Sequence, residues 1–169
     1  VKAYLRETNA DDDALIEGWI KAATAELETA VRRSFINATY DDVYDCWPLF
    51  SDRSAVVHRN PLSSVTSISY TDSDGNGQTW SNANYDVDTT SEPGRIRLAY
   101  AASLPALRDE NNNVTIRYVA GYGSDASSTP EIAKQWIYLW CTAAHCRRPL
   151  MPEERTMLGQ LADQLRYGL

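Results

Sequence analysis

Phenylalanine, methionine and histidine are scarce in this chain of 169 residues, two of each, and cysteine occurs three times. Cys46, Cys141 and Cys146 are an odd, sparse set; that excludes a disulfide framework and fits folding in a reducing compartment. Neither histidine, His58 or His145, has a sequence neighbour that suggests a catalytic triad, and no Gly-x-Ser-x-Gly elbow occurs. No apolar run approaches the length of a transmembrane helix, and the start lacks a secretory signal pattern, so no membrane partner is expected. Cations are outnumbered 16 to 23, for a net charge of −7. A basic groove tracking phosphates is therefore not the default expectation. The chain opens on Val1 rather than Met, so a short upstream piece is expected to be processed or missing.

What is present has the proportions of a folded globular chain: 43% hydrophobic and 23% charged, against the composition of disorder. Ten Tyr and five Trp dominate the aromatics. They fit either interfaces, where an apolar body with a polar tip is favoured, or a β-rich core. After Asp11, Asp12 and Asp13, carboxylates suited to a helix N-terminus, the residues Leu15, Trp19, Ala23, Leu27 and Val31 recur every four positions beside Ile16, Ile20 and Ala30. This spacing predicts a long helix closed by Arg32 and Arg33, with a helical lead-in over Val1–Arg6. From Thr39 to Tyr118, β-branched and aromatic residues broken by turn residues predict strands at Tyr40–Cys46, Ala55–Arg59, Val65–Thr71, Gln78–Trp80, Tyr85–Asp88, Arg95–Leu98 and Val114–Val119. Thr129 as N-cap and Pro130 at the first position open a second helix striped by Ile132, Trp136, Leu139, Trp140 and Ala143. Pro152, Glu153 and Glu154 open a last one, with Met157, Leu158, Leu161 and Leu165 on one side. The fold class is α+β: a small bundle of the N-terminal long helix plus two C-terminal helices, with an inserted antiparallel β-sandwich or barrel-like block. We read residues 1–169 as a single domain, helical over 1–36, β-rich over 37–125 and helical over 129–169.

Each candidate for chemistry has a plainer reading. Asp72-x-Asp74-Gly75-x-Gly77 faintly resembles a calcium loop but lacks the late Glu and flanking helices of one; Asp and Gly supply a hairpin turn directly. Cys141 and His145, four apart on a helix with Cys146 adjacent, could begin a zinc site; the other candidates, Cys46 and His58, are distant, so the set reads as helix packing. Gly121-x-Gly123 is a turn after a strand, not a phosphate loop. The doublets Arg32–Arg33 and Arg147–Arg148 complement helix C-termini, with docking onto an acidic partner or phosphate as the alternative. No pair of carboxylates stands out for hydrolysis. No catalytic, cofactor-binding or metal-ligating residue is assigned, and no cofactor is expected.

Several segments in order carry a resemblance: Val1–Arg6, Asp11–Ile16, Pro61–Gly75, Tyr85–Asp88, Glu92-Pro93-Gly94-Arg95-Ile96, Val119-Ala120-Gly121-Tyr122-Gly123 and Pro130–Gln135. Together, over nearly the whole chain, they are similar to the head–tail connector proteins of long-tailed phages, prophages and gene transfer agents. Cys46–Asp52 and Cys141–Pro149 carry no such signature. The resemblance implies a non-enzymatic virion protein, made in the host bacterial cytoplasm. It would form a homo-oligomeric ring, commonly of twelve subunits, under the portal protein at the capsid vertex. That ring extends the DNA channel and meets a downstream neck or tail-completion protein; DNA passes through the lumen without sequence-specific binding. A net-negative subunit suits such a channel, because acidic walls repel the passing phosphates. The alternatives are another virion neck or tail-completion part or a binding module with an exposed aromatic groove, and, behind these, a carboxylate-dependent hydrolase.

Overall fold

Helical spacing at the two ends of the chain and strand spacing between them produce two units, Val1–Arg33 with Thr129–Leu169, and Ser34–Ser128. The structure, a computed structural model, describes residues 1–5, 10–48 and 53–167. Arg6, the expected end of the lead-in helix, lies outside the described residues.

The helical unit contains α1 (Lys2–Leu5), α2 (Asp13–Val31), α3 (Glu131–His145) and α4 (Pro152–Tyr167). Helix α3 is its centre and packs against the other three. Of its side chains only Glu131 and Gln135 are exposed, while Ala133, Trp136, Ile137, Cys141 and Ala143 are buried. Indole donors fix its neighbours: Trp136 Nε1 donates to the Leu158 carbonyl at 3.1 Å and Trp140 Nε1 to Glu26 Oε2 at 3.0 Å. Trp19 stands edge-on to His145, so successive α3 residues meet earlier α2 residues and the two helices run antiparallel. Arg166, in the last turn of α4, donates to Ala30 O at 2.6 Å, which sets α4 parallel to α2.

The buried lines are rotated from those expected. In α2 the line runs through Ile16, Ala23, Leu27 and Val31, and Leu15 is 48% exposed. A strict four-residue repeat drifts around a 3.6-residue helix, so one end of the stripe must leave the core. In α4, Leu158 and Leu165 are buried and Met157 is 54% exposed. Asp12 occupies the N-cap of α2 without a side-chain capping bond; Asp13 pairs with Lys2 instead. Helix α3 begins one residue later than expected, with Pro130 as its N-cap.

The β unit contains β1 (Ala38–Tyr44), β2 (Ser54–Val56), β3 (Leu62–Thr71), β4 (Gly77–Trp80), β5 (Tyr85–Asp88), β6 (Arg95–Leu98) and β7 (Val114–Ala120). One sheet has the order β1-β7-β3-β4 and the other β2-β6-β5, with every pairing antiparallel. Strand β7 alternates cleanly: Val114, Ile116, Tyr118 and Ala120 are buried and Arg117 is exposed. Its inward side chains share one core with Leu62, Ile68 and Trp80 of the same sheet and with Tyr85 and Ile96 of the other. Two sheets packed over a shared core make a sandwich; they do not close into a barrel. Trp47 packs 4.9 Å from Trp80 and 5.4 Å from Tyr70 by ring centroids, and its Nε1 donates to Pro105 O at 3.0 Å. Most of the aromatic excess of this unit is thus core: Tyr100 is its only exposed tyrosine or tryptophan among the described residues.

The expected strands at Tyr85–Asp88 and Arg95–Leu98 occur with those bounds. The one expected at Ala55–Arg59 stops at Val56: Val57 N–H still reaches Gly94 O in the β2–β6 register, but the His58 N–H turns to the Asp42 carboxylate. Strand β3 starts earlier than expected, at Leu62, which pairs with Ala120.

The two ends of the unit are knitted together at its base. Ser34 N–H donates to Asn60 O at 2.9 Å, Asn37 N–H to Gly123 O at 2.8 Å, and Gly121 N–H to Pro61 O at 3.0 Å. Gly121 sits at φ +148°, and a Cβ there would lie 2.5 Å from the Asn37 nitrogen. Both the backbone angle and the approach require glycine. Gly121→Ala is expected to destabilise the β unit by more than about 1 kcal/mol, measured by denaturant unfolding.

Candidate interaction surfaces

Strand alternation turns Tyr40, Asp42 and Tyr44 of β1 to the same side as Tyr118, Ile116 and Val114 of β7, their register partners. Asp42 is the polar centre of that side. Its Oδ2 lies 3.0 Å from both the backbone nitrogen and Nδ1 of His58, and its Oδ1 accepts from the Tyr118 hydroxyl at 3.3 Å. The same hydroxyl accepts the Arg59 N–H at 3.0 Å, and the Tyr44 ring stacks on His58. Burial, then the neighbouring Asp42 carboxylate, pushes the Tyr44 phenol up to about 12. Burial pushes Tyr118 up as well. Both stay protonated donors at neutral pH, so the cluster ties the segment after β2 to β1. Sequence reasoning left His58 without a partner because Asp42 lies on another strand.

The Asp72–Asn76 segment is the hairpin turn expected. Asp72 Oδ1 accepts the N–H groups of Asp74 and Asn76 at 3.0 and 2.9 Å, Oδ2 accepts Gln78 Nε2 at 2.9 Å, and Gly75 takes φ +89°. These bonds hold the Asp72 carboxyl below its ordinary range. Arg108 packs over Gly75 and lies 3.6 Å from Glu110, and Asn112 N–H donates to Asp45 at 2.7 Å, so Asp45, Asp72, Asp74, Asp109 and Glu110 share this end of the sandwich.

On the outer face of the three-stranded sheet, Asp86 faces Arg97 and Asp88 faces Arg95 across the β5–β6 ladder. Asp88 accepts from Ser91 and Thr90, first through their side chains, which drives its pKa far down; it also pairs with Arg95 at 3.2 Å. A hollow of about 370 Å³ is lined by Ser54, Asp86, Val87, Asp88, Arg95 and Arg97. A second, of about 260 Å³, is lined by Arg53, Asp86, Arg97, Leu98 and Tyr100. No sequence signal announced this groove, because its charges come together only through strand register.

In the helical unit, Cys141 is buried within α3, where burial raises its thiol, and Cys146 is exposed. Cys46 is an exposed residue of the other unit, following β1. The arginine doublets are not simple solvated ends. Arg33 is 5% exposed, after Arg32 closes α2 at φ 54°. Arg148 makes a two-pronged ion pair with Glu154, both contacts at 2.6 Å, and Glu154 also accepts the Met151 N–H. That corner fixes the turn from α3 into α4, and the Arg148 guanidinium holds the Glu154 carboxyl down at about 2.

No protein-family model matches the chain, and no curated protein matches it. Solved structures do. A chain in the neck of the empty gene transfer agent particle, computed with C6 symmetry, is 21% identical with a TM-score of 0.75, over 95% of this chain and 85% of that one. A chain in the neck of the native particle, computed with C12 symmetry, is 20% identical with a TM-score of 0.74, over 90% and 82%. A chain in the virion of the native particle is 19% identical with a TM-score of 0.71, over 91% and 79%. The likeness is one of fold. These neighbours are neck and virion chains, in agreement with the resemblance read from the sequence.

Two outcomes test these arrangements. Tyr118→Phe leaves the Arg59 N–H without its acceptor and is expected to cost about 1–2 kcal/mol in denaturant unfolding. Glu154 is depressed from 4.5 to about 2, so its contribution to stability is complete above about pH 4.5 and disappears as pH falls through about 2. Glu154→Gln is therefore expected to lower the melting temperature at pH 7 and to flatten its fall with acid; an unchanged acid profile would refute this role for the pair.

Proposed function

We propose that this chain is a structural component of a virion neck. It assembles as a ring of about twelve copies beneath a portal, joins capsid to tail, and extends the channel for DNA. The observation that carries this reading is the fold shared over 95% of the chain with a gene transfer agent neck chain. Head-to-tail contacts between identical subunits close into rings when their rotation closes.

A non-enzymatic role is the corresponding reading of the polar groups. Among the described residues, the strongly displaced carboxyls of Asp88 and Glu154 are engaged by a turn and by a helix corner. The displaced phenols of Tyr44 and Tyr118 belong to the tie around Asp42. The β unit, residues 34–128, has twelve acids against six arginines and no lysine, and so carries most of the net charge. Repeated around a ring, that unit would present DNA with a repelling wall, felt within roughly 8–10 Å at physiological salt.

Electron microscopy of the assembled particle tests this directly. A ring of this chain between portal and tail, with acidic residues facing the lumen, is expected. A basic lumen would overturn the repulsion argument, and absence of the chain from the neck would overturn the assignment.

A further inference from the structure

We infer that the groove on the outer face of the three-stranded sheet, from Arg95 past Arg97 to Tyr100, docks the acidic tip of a second copy of this chain. This rests on the ring reading above and names a contact for it. The two hollows adjoin, with Asp86 and Arg97 lining both, and together make the groove. Three of the six arginines of the β unit, Arg53, Arg95 and Arg97, converge there. Two are committed: Arg53 donates to the carbonyls of Ala99 and Ala102 at 3.2 and 3.1 Å, and Arg95 holds Asp88 and Ser91. The Arg97 side chain makes no hydrogen bond or ion pair with the described residues, although Asp86 faces it across the ladder. Beside it Tyr100 is 97% exposed. An uncommitted guanidinium next to an exposed tyrosine is the composition of an interface anchor.

The complementary charge lies on the same chain. At the hairpin end, Asp72 and Asp45 accept backbone N–H groups, but Asp74 and Asp109 make no side-chain bond with the described residues, and Glu110 has only Arg108 at 3.6 Å. Outside the groove the β unit has ten acids against three arginines, so another copy presents chiefly negative surface to Arg97. Groove and tip are different surfaces of one unit. A contact between them that is not reciprocated within a pair runs head-to-tail, the kind that forms a ring where its rotation closes.

Sedimentation velocity on the full chain tests this, from about 1 μM to about 1 mM protein and at about 50 and 500 mM salt. Self-association that weakens with salt is expected. Arg97→Glu and Tyr100→Ala should each weaken it about tenfold, as should Asp74→Lys with Asp109→Lys. Mixing the Arg97→Glu chain with the double-lysine chain should restore association, which no folding defect could mimic. All four sites are on the surface, and circular dichroism checks that the variants fold. A wild-type chain that stays monomeric throughout, or association indifferent to these changes, overturns the inference. So does retardation of duplex DNA that Arg97→Glu abolishes while self-association persists, since the groove would then be a phosphate site. Arg97→Glu chains that populate a particle neck ring as well as wild type sink the groove alone; a neck lacking the wild-type chain sinks the ring reading.

Discussion

Everything in the β unit depends on closing its base. The unit is inserted between α2 and α3, so its first and last residues must return to one place. Three backbone hydrogen bonds, Ser34 to Asn60, Asn37 to Gly123 and Gly121 to Pro61, make that closure. The Ala38–Ala120 pairing carries it into the four-stranded sheet, and the Leu62–Ala120 pairing brings β3 against the same strand. Gly121 permits the approach because it has no side chain to place between the segments. With the base closed, β7 lies between β1 and β3 and supplies Tyr118, whose hydroxyl in turn holds the loop that follows β2.

The helical unit solves a different problem, burying polar tips without leaving them unpaired. Helix α3 lies against all three other helices, and both its indoles find acceptors, Trp136 in a buried bond and Trp140 in an exposed one. Trp136 finds a carbonyl of α4 and Trp140 a carboxylate of α2. These bonds do more than satisfy donors: they set the register of both neighbours against α3. Charge at the α3–α4 corner is handled likewise, with Arg148 and Glu154 engaging each other in a two-pronged geometry.

The α+β class was legible because it rests on local pattern. The hairpin at Asp72–Gly77, the strands β5 and β6 and the helices around Leu27 and Trp136 all follow from spacing and turn chemistry. Which end of the drifting α2 stripe leaves the core, burying Ile16 and leaving Leu15 outside, was not legible, since it depends on which partner arrives. Arg33 and Arg148 read as free helix-end charges, yet one is buried and the other is locked to Glu154 six residues on. The Asp42–His58 tie and the Arg97 groove were invisible for a common reason. Each joins residues that only strand pairing or sandwich packing brings together, and no short motif encodes such neighbours.

The insertion has a consequence for how the protein is made. Helix α3, against which α1, α2 and α4 all pack, begins at Glu131, after the whole β unit. A chain emerging from the ribosome exposes α2 with no helix to cover its apolar line until about a hundred more residues have been added, several seconds at about 5–20 residues per second. The β unit has no such wait, since its last strand ends at Ala120 and its base closes at Gly123. Synthesis order therefore favours a finished sandwich attached to an unfinished bundle, with the exposed line of α2 as the point most open to chaperones.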